Sequence, residues 1–307
     1  MAGRRRMTWL SLLITVLIAA VFLAILEEGL WEKGAWKPSS GFLELLGWLV
    51  VLDLLWPMGW GKAIELVLEV PEEWRVLEQG SFLVLGIWGI GVLVHAHNYG
   101  KSLLDTRAVL RVLMARKPDL FYRNIPVYVA SHIQTPMVIG WKKAIFLPEG
   151  KRWKENLILE HEYQHMRHHD FWIKQLINFL CIVYWWFPMI HGFRDNMALL
   201  LELRVDRIVT VRMKKAEKIH YARRLLADAT AASEPVLASG FFGSKKGSVL
   251  ELRVQKILTT RRLFRNDFVW CVACCLVLGF GKMTHISLAP MDGTGTTAIQ
   301  DQRGLEN

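Results

Sequence analysis

The sequence predicts a mainly α, polytopic membrane protein with an α+β domain inserted between its transmembrane helices. Three observations carry this reading. Apolar residues make up 52% of the 307 and the mean hydropathy is +0.24, a balance that points to lipid rather than to a soluble core alone. Four apolar runs, at about 7–26, 42–59, 82–97 and 268–283, flank the middle of the chain. Between Pro118 and Pro188 the pattern changes to short strands followed by a polar helix.

The first run, Met7 to Leu26, holds twenty residues without a charge. At 1.5 Å per residue that is enough to cross a hydrocarbon core of ~30 Å. It follows Arg4, Arg5 and Arg6, as a signal peptide would. Yet it exceeds the usual apolar length of ~7–15 residues, and no small-x-small cleavage site precedes Glu27, so a retained anchor is expected. Phe42 to Gly59 contains Glu44 and Asp53, and Asp53 lies deep enough that it should face other helices rather than lipid. Phe82 to His97 continues into the amphipathic "KSLLDTRAVLRVLMARK". "PVYVA" and "AIFLP" read as strands, and a helix carries "LILEHEYQHMRHHD". Phe171 to Phe187 is apolar again, with Lys174 and Asn178 inside it. Arg194 to about Asp228 is polar, basic and helical in pattern, and "ASGFFGSKKGS" is a Gly/Ser loop. The organisation expected is therefore 1–100 transmembrane helices, 101–267 an inserted domain with a membrane-associated segment at 171–187, 268–283 a last crossing and 284–307 a short polar, disordered tail.

The net charge of +10 does not indicate nucleic acid, because there is no Gly-rich phosphate loop and no basic stripe interleaved with aromatics. In a membrane chain, basic residues crowd the cytoplasmic flanks and face anionic lipid. Lys101, Arg107, Arg111, Arg116 and Lys117 outweigh the three N-terminal arginines, and the loop after the second run is acidic (Glu65, Glu69, Glu72, Glu73, Glu78). The N-terminus is accordingly expected outside and the central region in the cytoplasm. The four cysteines lie in apolar runs and are expected to be buried small residues without a function.

His161-Glu162-Tyr163-Gln164-His165 is an HExxH pattern. On a helix, positions i and i+4 project from one face, so both imidazoles can reach one ion at ~2.0–2.1 Å per Zn–N bond. Zinc lowers the pKa of bound water towards ~7, and Glu162 beside the ligands can take its proton as general base. His169 continues the i, i+4 series but lies two turns from His161, ~12 Å along the axis, too far for the same ion. His168 and His169 are expected to be a solvated or headgroup-facing helix end. The best candidate for the third ligand is Glu202 in "LLLELRVDRIV", with Asp206 one turn later on the same face. A His2Glu set leaves the fourth position open, the catalytic arrangement. Asp170 and Asp206 can then accept from the ring N–H groups of the two histidines. Taken alone, Glu202 reads equally as a surface glutamate and Asp170 as a helix-end carboxylate. If the three ligands share an ion, Asp170 and Arg194 lie on one side of the membrane, and 171–187 is a re-entrant or interfacial hairpin or a helix buried in protein.

The chain resembles the BlaR/MecR-type antirepressor membrane metallopeptidases. The resemblance rests on "VASHIQTPMVIGWKKAIFLPEG", on "HEYQHMRHHD" with Asp170 five residues past the second histidine, and on "YWWFPMIHGFRDNMALLLELRVD" with its Glu-x-x-x-Asp. "HYARRLL" and "SKKGSVLELRVQKIL" add to it, over roughly Lys101 to Met283. It implies a gluzincin-like α+β zinc peptidase domain with Zn2+ on His161, His165 and Glu202, Glu162 as general base, and Asp170 and Asp206 in support. Phe187 and Val205 stand where the family often has Asn and Cys. The family's antibiotic sensors carry a penicillin-binding domain after the last span, whereas about two dozen residues follow Met283, so β-lactam acylation by this chain is not expected.

The function this implies is a multi-pass cell-membrane zinc endopeptidase, its site facing the cytoplasm, that cleaves a protein in signal-dependent regulation. A repressor of the BlaI/MecI kind or its own loop would be the substrate, paired by edge addition to the strand around Lys143 to Leu147. Membrane lipid is the other partner, no direct nucleic-acid contact is expected, and a homodimer is one assembly such a chain could form. The alternatives are a heat-shock or prenyl-protease type of quality-control peptidase, and a non-catalytic receptor or scaffold with a structural zinc site.

Overall fold

A computed structural model describes residues 5–6, 8–31, 38–56, 64–70, 76–131, 133, 136–140, 142–149, 156–231, 243–259 and 265–290. A two-residue strand, β1 (Arg5–Arg6), leads into α1 (Thr8–Trp31). Its Leu12–Trp31 stretch is, among the described residues, the one helix both long and apolar enough to cross a membrane. α2 (Ser40–Leu55) returns against it and is capped by Ser39, whose Oγ accepts from the Phe42 N–H at 3.2 Å. The second expected span is thus a helix of 16 residues. After it the chain forms β2 (Ile64–Val70), then α3 (Val76–Met114), a 39-residue helix that takes in the third apolar run.

Apolar packing in the bundle runs through α1, α2, α5 (Asp170–Val183) and α6 (Met189–Thr210), with Phe22, Leu26, Phe42, Leu46, Ile177 and Phe193 buried at 2% exposure or less. α9 (Arg265–Met283) joins this bundle, and its apolar part, Val269–Lys282, is short. Two polar contacts bind α9 to α2. Near one end Asp267 accepts from the Ser39 N–H at 3.3 Å. Near the other, the ammonium of Lys282 lies 2.8 Å from the Asp53 carboxylate and donates to Thr15 Oγ1 at 3.2 Å, with Asp53 0% exposed. Asp53 thus faces other helices of the bundle.

The four-stranded sheet comprises β3 (Leu120–Tyr122), β4 (Ile125–Ala130), β5 (Met137–Ile139) and β6 (Ala144–Pro148), in the order β3-β4-β6-β5. β3 and β4 are joined by Arg123 and Asn124, both at positive φ (48° and 67°), the backbone a two-residue hairpin demands. Side chains alternate across the sheet. Tyr128, Ala130, Ala144 and Phe146 pack on the C-terminal half of α3, while Val127, Ile145 and Leu147 pack on α4 (Asn156–Arg167). Gly140 after β5 is obligatory: a Cβ there would lie 2.7–2.8 Å from Phe171.

Two expectations change. Thr284–Pro290 is not part of a disordered tail but strand β7, antiparallel to β1 and parallel to β2; residues 291–307 lie outside the described residues. This sheet gathers the start of α1 and the ends of α2 and α9 at one end of the bundle. The helix expected over "LILEHEYQHMRHHD" stops at Arg167, because His169 adopts a left-handed conformation (φ 58°) and α5 starts afresh at Asp170. α5 runs the depth of the bundle to the far end of α2, where the Tyr184 hydroxyl donates to the Leu54 carbonyl at 2.8 Å, and α6 returns. Residues 171–187 are thus the descending arm and turn of a helical hairpin. α7 (Lys215–Ala231) and α8 (Gly243–Leu258) close over the returning end of α6.

Candidate metal centre

α4 is amphipathic, and its packing on the sheet fixes which face is free. Ile158 and Leu159 turn to the strands, while Glu160 on the flank accepts from the Tyr122 hydroxyl at 2.7 Å and pairs with Arg123 at 3.0 Å. That anchoring presents His161 and His165 towards α6. Their Nε2 atoms are 3.1 Å apart, and Glu202 of α6 lies 3.3 Å from the first and 3.4 Å from the second through its two oxygens. These three residues form a group that could hold a metal ion.

The fit can be tested on distances. Bonds of ~2.0–2.1 Å around a tetrahedral ion place ligand atoms ~3.3–3.4 Å apart, close to the separations seen. The protons agree. His165 Nδ1–H donates to Asp170 Oδ2 at 2.7 Å, and His161 Nδ1–H donates to the Tyr221 hydroxyl at 2.8 Å, which in turn donates to Asp206 Oδ1 at 2.8 Å. With each Nδ1 facing an acceptor, both Nε2 atoms point to one shared centre, 3.1 Å apart, where a cation can replace the proton between them.

The expected residues are brought together, with one refinement. Asp170 accepts from its histidine directly, whereas Asp206 is 3.4 Å from His161 Nδ1 and acts through Tyr221. Asp170 and Asp206 are each 1% exposed, and cations balance them. Arg253 of α8 holds Asp206 in a two-point pair at 2.8 and 2.9 Å and reaches Glu202 at 3.3 Å. Arg204 of α6 donates to Asp170 and, through its other terminal nitrogen, to Glu44 of α2 at 2.9 Å. Tyr221, Arg253 and Arg204 carry no local sequence signal, because their carboxylate partners lie 15, 47 and 34 residues away. His168 is half-buried and His169 exposed, and neither belongs to the group.

The electrostatics follow. Burial raises the pKa of Glu162, opposed by His161 and His165, so its carboxyl is a better proton acceptor than an ordinary glutamate. Burial would depress His165, but hydrogen bonds with Asp170 and Glu202 prevail and push it up to about 9. Burial works against the charge on Glu202, yet hydrogen bonds from His161 and His165 and the charges of His165 and Arg253 hold it well below the carboxylate range. Burial and the adjacent Asp206 raise Tyr221, which stays a protonated donor.

The sheet edge differs from expectation. β6, the strand at Lys143 to Leu147, is paired on both sides, with β4 and β5, so it offers no edge. β5 is the outer strand on that side, and it packs beside α4.

The family model for BlaR1 peptidase M56 matches residues 80–257. The methicillin resistance mecR1 proteins of Staphylococcus aureus (strain Mu50) and Staphylococcus epidermidis are each 28% identical over 167 residues, 48% of this chain. The match spans 28% of those relatives' own length.

Proposed function

The chain belongs to the BlaR1 peptidase M56 family, and from that premise we propose that it is a polytopic membrane zinc endopeptidase whose site faces the cytoplasm. The observation that carries the reading is the convergence of His161, His165 and Glu202 at tetrahedral spacing beside the buried Glu162. His161, His165 and Glu202 would hold the ion. A zinc ion there would supply Lewis acidity towards a peptide carbonyl and would lower the pKa of water. Glu162 takes the proton of the attacking water and delivers it to the leaving amine. Asp170 and the Tyr221–Asp206 pair keep both imidazoles in the tautomer that ligation needs. A structural site needs no such base, which counts against a scaffold role. An extended substrate segment would add to β5, whose outer edge runs beside α4.

The membrane reading rests on the apolar α1, on the exposed Leu83, Ile90 and Leu93 of α3, and on the sheet that gathers β1, β2 and β7 at the end of the bundle away from the site. The basic flank from Lys101 to Lys117 then favours the cytoplasm for the site. A cytoplasmic regulatory protein, such as a transcriptional repressor, or the chain itself is the substrate class. The test is purified protein in lipid, assayed for zinc content and for cleavage of candidate repressors. Glu162→Gln is expected to keep one zinc per chain and to lose cleavage; undiminished cleavage in that variant would remove Glu162 from the mechanism.

A further inference from the structure

Glu44 is an acidic residue on a helix that is otherwise apolar through this stretch, and it does not face solvent alone. Its neighbours Leu43, Leu46 and Gly47 are buried. Its own carboxylate, 22% exposed, lies 2.9 Å from Arg204 and 3.8 Å from Arg207, both on α6. The α6 side chains pack directly on the α2 backbone there: a Cβ on Gly47 would stand 2.4 Å from Met197 Sδ. Arg204, 13% exposed, spends its two terminal nitrogens on two carboxylates, Glu44 and the 2%-exposed side chain of Asp170. The other oxygen of Asp170 accepts from His165 Nδ1 at 2.7 Å.

Four side chains therefore run unbroken from a bundle helix to a metal ligand. A planar guanidinium anchored at both nitrogens is fixed in plane and in reach; anchored at one, it swings about that contact. Asp170 has no freedom of its own, since one oxygen is set by Arg204 and the other by His165. We infer that Glu44 is a positioning residue of the metal centre: through Arg204 and Asp170 it sets the orientation of His165, and so gives the bundle helix α2 a grip on the metal site. The inference rests on the metal reading above and adds a route by which displacement of α2 would alter the site. Glu44 touches neither metal nor substrate.

The experiment uses the full chain in lipid nanodiscs and the metals alone. Zn2+ and Co2+ dissociation constants are measured by chelator competition, together with the visible absorption of bound Co2+, for the wild type, Glu44→Ala, Glu44→Gln, Arg204→Ala and the Glu44→Ala/Arg204→Ala double variant. Glu44→Ala is expected to weaken binding about tenfold, the scale seen when partners of ligating histidines are removed, and to shift the Co2+ spectrum. Glu44→Gln keeps shape and loses charge, so it guards against a folding defect and is expected to weaken binding severalfold. In the Arg204→Ala background, Glu44→Ala should have no further effect, because the route is already cut. Wild-type affinity and an unchanged spectrum in both Glu44 variants would overturn the inference while leaving the metal site standing. Additive losses in the double variant would overturn it too. A wild-type chain that binds neither metal would instead overturn the proposed function, and this inference with it.

Discussion

Removing one oxygen atom, in Tyr221→Phe, tests how the centre is built. The hydroxyl accepts from His161 Nδ1 and donates to Asp206 Oδ1, each at 2.8 Å, and Tyr221 is 3% exposed, so no water replaces it. Asp206 keeps two contacts from Arg253 and loses little. His161 is left with a stranded buried donor, which costs about 1–3 kcal/mol. Part is recovered: His161 Nδ1 is already 3.4 Å from Asp206 Oδ1, and a movement of about 0.5 Å would make a direct bond. The net loss is then about 1–2 kcal/mol. Where metal binding requires His161 in one tautomer, that appears as about 5–30-fold weaker affinity, at 1.4 kcal/mol per tenfold. Chelator competition with Zn2+ at fixed pH measures it, with the thermal midpoint of the metal-free protein as companion. An affinity within twofold of wild type would refute the claim that the hydroxyl orients His161.

Asp206→Ala leaves the buried Arg253 without its two-point partner and is expected to cost about 3–5 kcal/mol, more than Tyr221→Phe, in thermal unfolding of the metal-free chain; the reverse ranking would contradict the pairing described. His169→Gly relieves a side chain held at φ 58° and should raise stability by about 0.5–1 kcal/mol, whereas His169→Val should lower it, read from the same melting curves. His165 is raised to about 9 in the metal-free protein. A folded-state value above the unfolded one means that the proton stabilises the fold fully below about 6.5, and that this contribution fades as pH rises through about 9. Zinc must displace this proton, so binding at pH 7.5 is expected to release about one proton per ion, counted by calorimetry in buffers of different ionisation enthalpy.

Much of the centre was legible because its spacing is local. Two histidines at i, i+4, and a glutamate and an aspartate at i, i+4, each declare one helix face, and the structure brings the two faces together. Tyr221, Arg253 and Glu44 were not legible, because their contacts join positions 60, 47 and 160 residues apart, which no period encodes. The depth of Asp53 announced an internal partner, but nothing near it named Lys282. "AIFLP" reads as a strand, yet a continuous apolar run cannot say how many neighbours it has; four of its five residues are buried because α3 covers one face and α4 the other. "THISLAP" carries a period of two that composition alone, short and polar, concealed. The break at His169 is not legible, because a histidine in the left-handed region has no sequence signature as plain as glycine's.

The lysine that neutralises Asp53 is encoded 229 residues after it. At ribosomal speeds of about 5–20 residues per second, the first two helices are made some 10–50 s before that ammonium. Through that interval the carboxylate must stay in water or find another partner, since an unpaired buried charge is strongly disfavoured. The helical hairpin opens as an unfinished groove, and α9 is the helix that seats it. Synthesis of α9, rather than of α4, is the event that locks the bundle.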